Sequence, residues 1–105
     1  MSNSQLFYRE MVDRMSNRLF QNPDQMDQID EVINQHHEDT TVYTICAKAA
    51  NVLDIVKELS NDDHIDWDNA VDEYADDVIE HLLEGQKLDT LDMITMASRS
   101  GQSVR

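Results

Sequence analysis

The sequence predicts an all-α protein, a compact bundle of four to five short helices. Three observations carry that prediction. Glycine occurs only at Gly85 and Gly101 and proline only at Pro23, whereas sandwiches and barrels need many turns rich in both. Apolar residues recur at three- and four-residue spacing, the period of an amphipathic helix. Capping residues stand at the breaks between those stripes.

The elements follow in order. A first helix spans about Gln5 to Gln21, with Leu6, Phe7, Met11, Met15 and Leu19 on one stripe. Asn22-Pro23-Asp24 reads as a helix start: Asn caps, Pro suits the first helical position, and acid suits the positive N-terminal end. The second helix carries Met26, Ile29, Val32 and Ile33 and ends near His37. Glu38-Asp39-Thr40-Thr41 leads into a third, from about Thr41 to Leu59, striped by Val42, Ile45, Cys46, Ala49, Leu53 and Val56. This most apolar segment is expected at the centre of the core. After the polar loop Ser60-Asn61-Asp62-Asp63, a fourth helix runs from about Trp67 to Glu84, with Val71, Tyr74, Ala75, Val78, Ile79 and Leu82 inward. Gly85 sits where a left-handed cap would. A short last helix, about Leu88 to Ala97, carries Leu91, Ile94 and Met96, and residues 98–105 read as a frayed tail.

A chain of 105 residues supports one domain, 1–105, with one modest core. The formal charge of −14 is unevenly spread. The first helix holds Arg9, Arg14 and Arg18 against Glu10 and Asp13. From Asp24 to Asp92 the only cations are Lys48, Lys57 and Lys87, and the end is basic, with Arg99 and Arg105. Such a surface repels nucleic acid and anionic membranes and attracts basic proteins. The single Cys46 lies on an apolar stripe and excludes an internal disulfide. No span or signal pattern is present, so a cytoplasmic location is expected.

The densest feature is on the fourth helix. Asp68, Asp72, Asp76, Glu80 and Glu84 are each four apart, a ridge rising roughly 6 Å per step. Glu73 and Asp77 lie beside it, and Asp62, Asp63 and Asp66 lead into it. No Lys or Arg occurs from Glu58 to Gln86. Like charges four apart cost about 0.2–0.5 kcal/mol per pair, so four such pairs cost on the order of 1–2 kcal/mol. That cost is easier to understand if the charge is used. Duplex DNA presents one negative charge per roughly 1.7 Å of axis, and a line of carboxylates on an open convex face resembles it. The bland alternative is a solvated face serving solubility, and the two weigh about evenly. Adaptation to high salt predicts acid everywhere, which the Arg-bearing first helix does not fit.

Other chemistry finds little footing. Counting from Asp62 to Glu73 gives a calcium-loop outline, but Trp67 stands where glycine is needed and His64 at the third position. His36, His37, His64 and His81 form no ligand pair with zinc spacing and read as solvated loop or helix-end residues. No nucleophile motif or phosphate-cradling loop is present, and no pocket is evident that would split carboxylate pKa values. No enzyme activity, cofactor or metal is expected. Trp67 and Tyr74 read as core or core-edge residues, and Tyr43 with them.

The segment Asp27 to Leu59 has Ile29-Asp30-Glu31-Val32-Ile33 leading into Glu38-Asp39 and then Val42-Tyr43. This pattern of acidic amphipathic helix, polar break, Val-Tyr pair and apolar helix resembles small acidic phage proteins of the Ocr-like antirestriction type. The resemblance covers about a third of the chain. It implies an acidic, all-helical dimer that imitates bent B-form DNA. The chain departs from the type in ending basic rather than strongly acidic.

The expected function is therefore a DNA-mimic inhibitor. Its acidic face would block the DNA-binding site of a basic host protein such as a restriction enzyme, nuclease or nucleoid protein, in the host cytoplasm if phage-encoded. The expected contacts are Asp62, Asp63, Asp66, Asp68, Asp72, Glu73, Asp76, Asp77, Glu80 and Glu84, each accepting charge-assisted hydrogen bonds from Lys or Arg. Acids of the second helix, Asp24, Asp27, Asp30 and Glu31, are expected to matter less. Neutralising the row is expected to leave the fold intact or slightly stabilised. The alternative is a small acidic adaptor or assembly protein that binds through an apolar groove. A homodimer is expected, with the first helix as seam and Phe7 and Phe20 at its edge. Direct nucleic-acid or membrane binding is not.

Overall fold

A computed structural model describes residues 3–104. They form five helices: α1 (Asn3–Gln21), α2 (Pro23–His36), α3 (Val42–Leu59), α4 (Trp67–Leu83) and α5 (Thr90–Ser103). No strand occurs among the described residues, so the all-α expectation holds. None of the helices is long and apolar enough to cross a membrane.

Most helix starts have a local cause. Thr41 caps α3 by accepting from the Thr44 N–H, and Asp66 caps α4 by accepting from the Asn69 N–H. Asp89 and Asp92 form a reciprocal capping box at the start of α5. Asn22 precedes Pro23 as expected but makes no cap bond; its Nδ2 donates back to the Arg18 carbonyl at 2.8 Å, closing α1 instead. Gly85 ends α4 with φ +78°, the left-handed geometry that favours glycine.

The core is shared between helices rather than centred on α3. From α4, Ala70, Val71, Tyr74, Ala75, Val78, Ile79 and Leu82 are all buried. They meet Ile45, Cys46, Ala49, Ala50 and Leu53 of α3 and Phe7, Met11, Met15 and Leu19 of α1. Burying side chains of this size stabilises by about 1.5–3 kcal/mol each before entropy is counted. The buried Tyr74 hydroxyl donates to the Ala49 carbonyl at 2.9 Å, so the polar end of the ring is satisfied inside the core.

Four expectations need correction. The chain from Ser98 to Ser103 is not frayed: it continues α5, with Ser100 and Gly101 buried. The reason is packing, because Gly101 lets the Trp67 ring lie against the helix, and the Asp66 N–H donates to the Val104 carbonyl at 2.9 Å. Arg105 lies outside the described residues. The inward face of α5 is Met93, Met96, Ala97 and Ser100, whereas Leu91 and Ile94 are exposed; the frame was set by Trp67, not by the first apolar residues. Leu6, Met26 and Tyr43 are exposed as well, each at the edge of its helix's apolar stripe. Phe7 is buried and cannot edge a seam.

Candidate functional site

Three ridges divide α1 by function. Phe7, Met11, Met15 and Leu19 enter the core. Glu10, Arg14 and Arg18, also four apart, face α4. There they meet Asp72, Asp76 and Glu80 in constant register, since each pair is separated by 62 residues. Two helices side by side keep one offset over three rungs only if they run parallel.

The rungs differ in chemistry. Arg14 grips Asp76 with two hydrogen bonds, Nε to Oδ1 at 3.0 Å and Nη2 to Oδ2 at 2.9 Å, the bidentate fork that suits guanidinium to carboxylate. Its Nη1 lies 3.8 Å from the Asp72 carboxylate. Hydrogen bonding to Asp76 raises the Arg14 pKa further. Arg18 donates to Glu80 through Nη2 and to Gln25 of α2 through Nε at 3.3 Å, so one guanidinium ties three helices. At the third rung two carboxyl groups face each other. The Glu10 pKa is raised, first by hydrogen bonding with Asp72, then by burial, as expected where like charges are brought together.

The acidic row is therefore not an open convex face. Its cations come from α1, which the sequence places sixty residues away. Asp72, Asp76 and Glu80, expected as partner contacts, are engaged within the fold. Asp68 shares a shallow pocket with Arg9, Glu10 and Lys57. Asp77, on the other flank, is half-buried; burial raises its pKa while the charge of Arg99 opposes the rise. Asp62 accepts the His64 N–H at 2.9 Å, an Asx turn, and Asp66 is committed to its cap. Among the expected site residues Asp63, Asp66, Asp68, Glu73 and Glu84 are exposed with no ion pair.

A further group of unopposed acids is on α2. Ile29, Val32 and Ile33 face inward, so at 3.6 residues per turn Asp24, Asp27 and Glu31 point away from the core, with Asp30 beside them. All four are exposed. The helix contains no Lys or Arg, and no ion pair among the described residues reaches them. Glu31 has only Gln35, at 3.5 Å.

The third ridge of α1 is Tyr8, Val12, Ser16 and Phe20, and it is uncharged. Beside it opens an apolar cleft of about 210 Å³ between α1 and the start of α3. Met15, Leu19 and Cys46 floor it, and Phe20, Met26 and Tyr43 stand at its rim. Phe20 is 87% exposed. Burial pushes the Cys46 thiol up to about 11, which leaves it a core residue rather than a nucleophile.

Two histidines are not solvated ends, contrary to expectation. His37 Nε2 accepts the Leu88 N–H at 3.1 Å, and His81 Nε2 contacts the Lys87 carbonyl at 2.8 Å. Both hold the connection between α4 and α5. Among the described residues no group of three or more His, Cys, Asp or Glu is placed to hold a metal ion.

Comparison of the chain with protein-family models, curated proteins and solved structures finds no match.

Proposed function

We propose that this protein acts by binding another protein, filling a basic site that otherwise holds nucleic acid. One observation supports this most. Arg14 and Arg18 are engaged within the fold on the α4 row, while Asp24, Asp27, Asp30 and Glu31 on α2 face solvent and enter no ion pair among the described residues. The phosphate-like surface is therefore centred on α2. It extends across the Arg18 junction, which touches both Gln25 and Glu80, towards Glu84. Carboxylates in such a line accept charge-assisted hydrogen bonds from Lys and Arg and steer a basic partner over distances set by salt.

The test is a displacement assay. Proteins from a bacterial lysate are captured on labelled duplex DNA and challenged with the intact chain at two salt concentrations. Release of a captured protein in competition with duplex, weakening as salt rises, supports the reading. The variant Asp24→Asn, Asp27→Asn, Asp30→Asn, Glu31→Gln should lose that effect. Binding to a captured protein without displacing its DNA counts against it.

A second reading is favoured by the uncharged cleft beside Phe20. An adaptor would take a partner's apolar side chain there, and its binding would be nearly indifferent to salt.

A further inference from the structure

We infer that the cleft between α1 and α3 receives Phe20 of a second copy of this chain, forming a two-fold dimer along the uncharged ridge of α1. This assignment is independent of what the acidic face binds.

The first reason is self-complementarity. A two-fold interface must contain both halves of every contact on one surface. Here the projecting ring and the cleft lie on the same side of the same helix. Phe20 stands at the rim, 87% exposed, while Met15, Leu19 and Cys46 form an apolar floor beside it. A cleft of about 210 Å³ is below the range of roughly 300–1,000 Å³ usual for small-molecule sites, and it suits a side chain better.

The second reason is charge. Two copies at −14 each repel, so they can approach only where acid is missing. The residues lining this cleft include no Asp, Glu, Lys or Arg. Each of the other surface pockets described has at least one. A basic partner would find nothing in the cleft to pair with, whereas a second copy finds the least repulsive part of its own surface.

The third reason is the ridge. Tyr8, Val12, Ser16 and Phe20 are four apart and span roughly 18 Å of helix. If two such ridges cross antiparallel with the axis near Ser16, Phe20 of one copy falls opposite Val12 of the other, at the far side of the cleft. Ser16 is the smallest residue of the ridge, and a small residue at the crossing lets two helices approach closely.

The experiment is sedimentation of the full chain over a concentration series, with variants. The native chain should be a dimer at tens of micromolar. Phe20→Asp should weaken association at least tenfold without changing helicity or thermal midpoint, because the ring makes little contact within its own subunit. Leu59→Asp, on the exposed aliphatic edge of α3, should leave association unchanged. Under mild oxidation Ser16→Cys should give a covalent dimer, while Asn34→Cys on α2 should not; the native Cys46 is buried and silent. A monomer at about 100 µM, a dimer indifferent to Phe20→Asp, or one broken by Leu59→Asp would each overturn the assignment. The α2 variant that lacks its four acids should still dimerise, so failure of the partner reading and failure of this one are told apart.

Discussion

Arg14 and Asp76, sixty-two residues apart in sequence, are joined by two hydrogen bonds at 3.0 and 2.9 Å across the seam between α1 and α4. The pair reverses the sign of one expectation. On spacing alone, Asp76→Asn relieves repulsion between neighbours four apart and stabilises. With the guanidinium in place it removes the anchor of the ladder. Both side chains are 42% exposed, so solvent screens most of the attraction, and the expected loss is about 0.5–1 kcal/mol. A double-mutant cycle of Arg14→Ala and Asp76→Ala, read by urea denaturation, should give a coupling energy of that size. Zero coupling would show the ladder to be ornamental.

Neutralising α2 should have the opposite profile. Asp24→Asn, Asp27→Asn, Asp30→Asn and Glu31→Gln touch no ion pair, so each should change stability by less than about 0.5 kcal/mol. Thermal denaturation of the combined variant checks this. A large loss would show that α2's acids are structural after all.

Tyr74→Phe deletes the hydroxyl that donates to the Ala49 carbonyl in the core. The ring's apolar burial is retained, so the effect isolates one buried hydrogen bond. A loss of about 0.5–1.5 kcal/mol is expected, measured as a shift in urea midpoint at constant slope.

Gly101 is a helix-interior glycine that ordinary propensity would replace. Alanine there gains roughly 1 kcal/mol from backbone entropy. Its Cβ, however, would lie 3.1 Å from the Trp67 ring, and the larger Val adds methyl groups to the same space. Gly101→Val should therefore destabilise by about 1–3 kcal/mol through overpacking. Trp67 is the only tryptophan, so its fluorescence reports the displacement directly.

Helix number and type were legible because the period of the stripes is local. Three of the five N-termini were marked by residues that the structure uses or that adjoin those it uses, Pro23, Thr41 and Trp67 after Asp66, and Gly85 marked the end of α4; the Asp89–Asp92 capping box of α5 was not read. What could not be read was partnership between distant segments. The α4 row showed its spacing but not its neighbour. A signal existed in the matching repeat: Glu10, Arg14 and Arg18 step by four, as do Asp72, Asp76 and Glu80. Nothing local says that the two ridges face each other. The end of α5 was missed for the same reason, since Ser100 and Gly101 look like a frayed polar tail until Trp67 and Ile65 are placed beside them. Phe20 and Tyr43 were apolar at helical spacing and yet exposed, because a stripe wider than its contact leaves its margins in solvent.

The last prediction concerns pH. His37 Nε2 accepts the Leu88 N–H at 3.1 Å, so that nitrogen carries no proton, and a protonated ring cannot make the bond. Burial lowers the His37 pKa, and the positive charges of Lys87, His36 and Lys48 lower it further. The native state thus binds its proton less readily than the unfolded chain, whose histidine titrates near about 6.5. Between the two pKa values the unfolded state holds more protons, so stability rises with pH in that window and falls as pH drops below about 6.5. The loss should be on the order of 1 kcal/mol, the size of one part-buried hydrogen bond. It should be felt first at the α4–α5 connection, where Leu88 is held. Glu10 and Asp77 have raised pKa values and act in the other direction. Thermal midpoints measured from pH 7.5 to 5.5 should therefore decline for the native chain. In His37→Ala the midpoint should be lower throughout and flatter across that window. A native profile flat from 7.5 to 5.5, or a variant with the same slope, would show that the Leu88 contact does not govern the response.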